Sequence, residues 1–379
     1  MTSQRDGNLE QAGREARNAF FCRVKQTHRL DRVAVGHSRD DQAETVLYRL
    51  FRGAGTAGLA GILPVTAEGT IRPLIDCSRA EIEAWLRQHH LTWREDSSNQ
   101  DHAFARNRIR HNLLPQILAH HSPAAVEILA ATAAVARDEE IYWDGYTKAL
   151  AIQLFVPTVR GILLQANDLT SLPVAVARRL VRLAIAEVKG SLRGIEIGHV
   201  ERVLEIASSD KGHGRAQAPD VDVFRSFGIL LFCRLRSESR AERDYRTGVD
   251  PPCEVILPHL TGVLRMDVID FSIRGYNTNE CLLDSSRLKG RLEVRNWHPG
   301  DRYAPDSFGD AKIKQMFQLA RIPLWERQSW PIVSCGEEVI WARKFGVASR
   351  LKPDTSTGRV LRIVDVDSFE SNPSLPASL

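Results

Sequence analysis

The sequence predicts an α/β protein: an N-terminal domain built on a parallel sheet, a helical connector, an α+β middle domain and a small strand-rich C-terminal domain. Three observations predict it. The apolar run VAV at Val33 to Val35 suits a strand buried on both faces of a parallel sheet, and a helical pattern and a glycine-rich loop follow it. Residues 155–240 combine two strong helical periods with a hairpin, and residues 250–367 hold a series of strand patterns around one helix. A length of 379 residues accommodates two or three such domains at roughly 150 residues each.

Each element has its own signal. From Asn8 to His28 apolar residues recur at helical spacing, which predicts an amphipathic helix. A second helix is expected over 39–51, followed by the loop RGAGTAGLAG. In SRAEIEAWLRQHH, Ser78 and Glu81 form a capping box, which fixes a helix start. LTWREDSSNQ reads as extended or loop. From about His102 to Tyr146 a long helical stretch is expected to break at Pro115, and the alanine-rich ILAATAAVA within it to be a buried connector.

The middle unit is expected to carry helices over PVAVARRLVRLAIAEV and IGHVERVLEIA, then a hairpin turning at Phe227 and Gly228. The last unit is expected to place strands at EVILP, GVLRMDV, RLEVRNW, PIVSC, EEVIWA and RVLRIVDV around the helix AKIKQMFQLARI. The domain boundaries that follow are 1–120, 121–154 for the connector, 155–240 and 250–367, with a Ser/Pro-rich disordered tail at 368–379.

A hydrophobic fraction of 43% and a charged fraction of 26% belong to an ordinary globular protein. No apolar run reaches membrane-spanning length and no secretory leader is visible, so a cytoplasmic protein is expected. The six cysteines stand singly, with no CxxC pair, and are expected to be buried free thiols. A net charge of +4 leaves any nucleic-acid contact to local basic patches.

The chemistry concentrates in GHSRDDQAET, residues 36–45. At 100° per residue, Ala43, Val46, Leu47, Leu50 and Phe51 form an apolar stripe; Asp41, Glu44, Tyr48 and Arg52 form a second stripe beside it. His37 precedes the helix, at the carboxyl end of the strand, where open α/β sheets bind ligands. Two readings stand. The acids and Ser38 cap the helix, or Asp41 and Glu44 hold Mg²⁺ or a substrate's cationic group while His37 handles a proton or a phosphate. The glycines of the next loop let backbone N–H groups approach an anion, or simply connect. In ARNRIRHNLLP, Arg106 and Arg110 share a helix face suited to phosphate, or to solvent.

Taken in order, GHSRDDQAET, RLFRGAGTAGLAGI, RPL at Arg72, EDSSN and ARNRIRHNLLP resemble the signature run of the tRNA(Ile)-lysidine synthase family. The middle unit and NWHPGDRYAP with AKIKQMFQLARIPLWERQSWPIV are similar to that family's substrate-binding and tRNA-binding C-terminal domains. The resemblance implies ATP-dependent adenylation of C2 of the wobble cytidine in a CAU-anticodon tRNA(Ile), then displacement of AMP by L-lysine. It implies ATP as substrate, Mg²⁺ as cofactor, no membrane, and compatibility with a homodimer.

Carried onto this chain, the HxxDDxxET run gives His37, Asp40, Asp41 and Glu44 as catalytic residues, Asp41 and Glu44 also as metal ligands. Arg52 beside the glycine loop, with Arg106, Asn107 and Arg110 of the RNxxR run, is expected to bind substrate or tRNA. The family also has an SGGxDS loop that cradles pyrophosphate; this sequence has none, nor any Gly-Gly pair. The expectation is an incomplete nucleotide-binding domain with exposed edges: either a fragment of an ordinary synthase, or a truncated, inactive tRNA-binding protein. A related PP-loop tRNA thiolase is the remaining alternative, and the missing CxxC argues against it.

Overall fold

The computed structural model of the chain describes residues 3–94, 104–235, 244–257, 262–271 and 280–367. EDSSN and the C-terminal tail lie outside them. The chain divides into two compact units, Met1–Ala149 and Leu150–Leu379, and its class is mixed α/β with several sheets.

In the first unit, α1 (Ser3–His28) leads to β1 (Val33–Ala34), α2 (Arg39–Phe51), α3 (Gly55–Leu59), β2 (Thr70–Ile71) and α4 (Arg79–Gln88). β1 and β2 pair in parallel, Val33 opposite Thr70 and Ala34 opposite Ile71. The strand is shorter and barer than VAV suggests: Ala34 is exposed, because among the described residues β2 is its one partner strand. Both capping boxes form, Ser38 with Asp41 at α2 and Ser78 with Glu81 at α4.

The following helix runs as α5 (Ala105–Arg108), a π-helical turn at Ile109–Leu113 and α6 (Leu114–His120). Pro115 does not break it. The π turn has already shifted the hydrogen-bond register, Leu114 N donating to Ile109 O, and Pro115 sits at the start of α6 where a missing N–H is tolerated. The break comes at residues 121–124, around Pro123. From there α7 (Ala125–Leu154) crosses the unit boundary. It is not a buried connector: within ILAATAAVA, Ala133 is buried while Ile128 and Val135 are more than half exposed.

The small core of this unit joins Ala43 and Leu47 of α2 to Ile109, Leu114 and Val126. It reaches the first turns of α2 and stops there. Leu50 and Phe51, expected in the apolar stripe, are 55% and 66% exposed because they lie one turn beyond that contact.

The second unit begins with β3 (Val156–Thr158), β4 (Gly161–Gln165), α8 (Ala166–Ser171), α9 (Val174–Lys189), α10 (Ile197–Ser208), β5 (His213–Ala218), β6 (Val221–Ser226) and β7 (Ile229–Arg234). The strands form an antiparallel sheet in the order β3-β4-β7-β6-β5. Leu180, Val181, Ala184 and Ile185 of α9 and Val200 and Val203 of α10 are buried in one cluster with Leu164, Val223 and Phe232 of that sheet. The β6–β7 hairpin turns at Phe227, whose φ is 55°.

Beyond it come β8 (Arg246–Val249), β9 (Cys253–Ile256), β10 (Gly262–Asp270), β11 (Glu280–Asp284), β12 (Leu292–Asn296), β13 (Arg302–Tyr303), β14 (Ala311–Lys312), α11 (Ile313–Leu319), α12 (Leu324–Arg327), β15 (Pro331–Cys335), β16 (Glu338–Ala342), β17 (Gly346–Val347) and β18 (Arg359–Asp367). Three sheets result, β11-β18-β10-β9, β17-β16-β15-β12-β8 and the two-stranded β13-β14. Their side chains and Ile313, Met316 and Phe317 of α11 make one continuous core. The cysteines are free, but Cys22 is exposed and the other five half-buried rather than buried.

A seam joins the β6–β7 hairpin to α12. Leu324 N donates to Ser226 Oγ (3.1 Å), and Arg160 Nη1 to Trp325 O (2.6 Å). The Arg327 guanidinium is 5.7 Å from the Phe227 ring and 5.6 Å from the Phe317 ring, and Nε donates to Ile322 O (2.8 Å). Burial lowers the pKa of this arginine; its charge is compensated by two ring faces and a carbonyl.

Gly161 turns β3 into β4 with φ +143°, and a Cβ there would lie 2.0 Å from Phe232 O. Gly161→Ala is therefore expected to destabilise the second unit by about 3 kcal/mol or more, with the loss read as a lowered melting temperature.

Candidate active site

α2 starts at the carboxyl end of β1, and its capping box decides where Asp41 points. Ser38 N and Oγ donate to Asp41 Oδ2 at 2.8 and 3.0 Å, leaving Oδ1 to face the arginines. Asp41 is thus both a cap and a member of a charged cluster, and the two readings of its sequence pattern are not exclusive. Glu44, one turn on, is 1% exposed. A buried carboxylate needs a partner, and Arg110 supplies it: Nε donates to Oε1 (2.6 Å) and Nη2 to Oε2 (2.8 Å), while Nη2 also donates to Asp41 Oδ1 (2.9 Å). Arg106 Nη2 donates to Thr45 Oγ1 (2.7 Å), and its Nε lies 3.6 Å from Glu44 Oε2. Arg79 approaches Asp41 Oδ1 at 3.5 Å.

Burial resists the charge on Asp41, but the Ser38 amide and the guanidiniums of Arg106, Arg110 and Arg79 outweigh it and hold the pKa below the usual aspartate value. The Arg110 pKa is raised: burial opposes its charge, and the hydrogen bond and charge of Glu44, with Asp41 and Asp40, more than offset that.

His37 Nδ1 accepts from Arg72 Nε (3.2 Å), which leaves the ring proton on Nε2. Its pKa is lowered, first by burial and then, against the pull of Asp41, by Arg72, Arg106 and Arg17, so the ring is neutral at pH 7. Asp40 Oδ2 accepts from Arg79 N (2.7 Å) and so caps the start of α4.

The structure brings Asp41, Glu44, Arg106 and Arg110 into one cluster. His37 stands at its edge; Asn107 follows Arg106 on α5. Arg52 lies two turns along α2, donating to the Tyr48 hydroxyl (2.6 Å) with its guanidinium 5.3 Å from the Tyr48 ring. Arg72, Arg79 and Thr45 were not among the expected site residues. Arg72 belongs to the quoted RPL motif, and Thr45 ends HxxDDxxET, so both had a signal; Arg79 had none.

The glycine loop is gripped from the side. Gln42 Oε1 accepts from Ile62 N (2.6 Å), and Arg49 Nη1 donates to Gly61 O (2.6 Å) and Gly58 O (3.4 Å). Gly61 has φ +59°, and a Cβ there would lie 2.7 Å from the Gln42 amide, so glycine is required.

As a magnesium site this donor set does not fit. Both Glu44 oxygens are engaged by Arg110, both Asp41 oxygens are hydrogen-bonded, and two more guanidiniums adjoin. Among the described residues no group of three or more His, Cys, Asp or Glu is placed to hold a metal ion.

Residues 1–117 match the PP-loop domain family, an ATP-using class with which the short parallel strand pair and the helix rising from its carboxyl end are consistent. Residues 292–363 match the TilS substrate C-terminal domain family. The tRNA(Ile)-lysidine synthase of Solibacter usitatus (strain Ellin6076) is 47% identical over 367 residues, covering 95% of this chain and 82% of that protein. That of Symbiobacterium thermophilum is 34% identical over 376 residues, 94% and 77% of the two chains. The crystal structure of the TILS C-terminal domain aligns to 33% of this chain and 98% of its own at 22% identity and a TM-score of 0.31, a likeness too slight to argue from. The chain belongs to the tRNA(Ile)-lysidine synthase family.

Arg110→Ala would leave Glu44 charged, buried and without its bidentate partner. A loss of about 3–5 kcal/mol is expected in denaturant unfolding, with partial recovery in Arg110→Ala/Glu44→Gln. Acid gives a second check. Because the folded pKa of Asp41 is below the unfolded value of about 3.9, its stabilisation is complete above that pH and disappears as pH falls through the folded value. The stability gap between the native protein and Asp41→Asn should therefore shrink below about pH 4.

Proposed function

We infer that the protein is a ligase that forms lysidine on tRNA(Ile) using ATP. What carries the reading is the Asp41–Glu44–Arg106–Arg110 cluster at the carboxyl end of a parallel strand, in a chain aligned over 95% of its length with a synthase of that name. The finer reading concerns chemistry and organisation. O2 of the wobble cytidine attacks the α-phosphorus of ATP and pyrophosphate leaves; the lysine amine then attacks C2, AMP departs with O2 and the amine loses a proton.

Within that scheme the chain's residues have distinct tasks. Asp41, 15% exposed at its side chain, holds the guanidiniums of Arg110 and Arg79 in place and so positions them for the substrate. Glu44, held by Arg110, fixes that carboxylate through the shared guanidinium. Neutral His37 presents Nε2–H and donates to a phosphate or base oxygen; with Nδ1 engaged by Arg72 it is not a base. Arg106 and Arg52 face developing or resident phosphate charge. Asp40 positions α4. Mg²⁺, if recruited, would be held by ATP phosphates together with groups other than the Glu44–Arg110 pair.

Residues 1–120 are read as the PP-loop domain, 121–154 as a connector, 155–240 as the substrate-binding domain and 250–367 as the tRNA-binding domain. Among the described residues no helix is long and apolar enough to cross a membrane.

The test is incorporation of labelled lysine into tRNA(Ile) transcript. Asp41→Ala is expected to lower turnover by about 100-fold or more at unchanged tRNA affinity. Turnover equal to that of the native protein would remove Asp41 from the reaction.

A further inference from the structure

The glycine loop is tied to the rest of its unit through its backbone. Besides the Arg49 bonds to Gly58 O and Gly61 O, Arg137 of α7 donates to Ala60 O (3.4 Å) and Ile62 O (3.5 Å). Arg72, the residue after β2, donates from Nη1 to Leu63 O (2.6 Å) and from its backbone N to Pro64 O (2.9 Å). Guanidiniums from separate elements therefore fix the path of residues 58–64, and Gln42 adds its bond to Ile62 N. Ordering long arginine side chains costs conformational entropy, which a plain connector does not require.

One of these guanidiniums also reaches the site. Arg72 Nε donates to His37 Nδ1 (3.2 Å). Because a guanidinium is a rigid plane, the carbonyl met by Nη1 sets the direction of Nε–H. The strand pair holds both ends of this link: Val35 N, two residues before His37, donates to Ile71 O (2.9 Å), one residue before Arg72. The link selects a protonation state as well. Arginine offers donors and no acceptor, so it meets Nδ1 only as a lone pair. A proton on Nδ1 would oppose two N–H groups and displace the ring. The surroundings act in the same sense: burial, Arg72, Arg106 of α5 and Arg17 of α1 disfavour the imidazolium, against the pull of Asp41 of α2.

We propose that Arg72 is a positioning residue: it takes its own place from the Leu63 carbonyl and holds the His37 ring in one orientation, so that the glycine loop and the histidine form one mechanical unit. The target of the His37 Nε2–H rests on the lysidine-forming reading; the link from loop to ring does not. Arg72 acts on the reaction through His37, and Arg49, which secures the loop from α2, acts one step further back.

The full-length protein, labelled at histidine, is titrated by NMR from about pH 5 to 9, His37 being the signal lost in His37→Gln, and each variant is assayed for lysine incorporation over the same range. An amide at position 72 can turn either its N–H or its oxygen to Nδ1, so it accepts both protonation states of the ring. Arg72→Gln is therefore expected to move the His37 midpoint to higher pH and the acid limb of kcat with it, and to lower kcat about tenfold at about pH 8 with KM for tRNA unchanged. Arg72→Lys, which keeps the charge but not the two-ended plane, is expected to recover part of both, and it carries the test should Arg72→Gln fail to fold. Arg49→Gln is expected to move the midpoint in the same direction by less. An unchanged midpoint in the Arg72 variants overturns the proposal, and a kcat loss without a shifted midpoint does so too, by marking Arg72 as structural alone. An unchanged midpoint in Arg49→Gln overturns the coupling to the loop. Shifted midpoints in a protein whose native form incorporates no lysine overturn the enzyme reading and leave the link standing.

Discussion

One buried charge organises the first unit. The Glu44 carboxylate lies on the inner side of α2, almost without solvent, and is acceptable there because the Arg110 fork meets both its oxygens. That pairing fixes the mutual position of two helices that are distant in sequence. It also accounts for the π turn: a helix widened at Ile109–Leu113 presents Arg110 toward α2 while Ile109 and Leu114 still enter the core beside Ala43 and Leu47. Electrostatics and packing here constrain the same few residues.

Because Arg110 also reaches Asp41, the pair hands its geometry to a carboxylate nearer the surface. Asp41 is held from the other side by the first residue of its own helix cap. A side chain fixed at both oxygens, ionised well into acid, is a preorganised anion, whereas a carboxylate free to rotate would have to be ordered on binding. The neutral ring of His37 and the gripped glycine loop extend this rigidity to the mouth of the strand pair. The same arrangement of guanidiniums around both acids makes the pair a poor magnesium site.

Local order was legible in the sequence wherever local chemistry decides it. The capping boxes at Ser38 and Ser78, the helix over 39–51, the hairpin at Phe227 and the long C-terminal strands all declare themselves within a few residues. What failed depended on distant partners. Whether VAV is covered, and whether Leu50, Phe51 and the alanines of α7 are buried, is set by what packs on them, and periodicity is silent about that. Pro115 misled because its cost depends on the hydrogen-bond register before it, and Pro123 was the effective break. Of the site, the stripe from Asp41 to Arg52 could be read from spacing. The pairing of Glu44 with Arg110 spans 66 positions and could not.

The seam between the β6–β7 hairpin and α12 couples three side chains. Arg327 is lodged between Phe227, from one module, and Phe317, from the next, and among the described residues no acid pairs with its charge. Loss of the Phe227 ring strands a cation in an apolar joint; loss of the cation leaves two rings facing a void. Phe227, Phe317 and Arg327 therefore act as one joint, and the contact between the hairpin and α12 depends on all three at once.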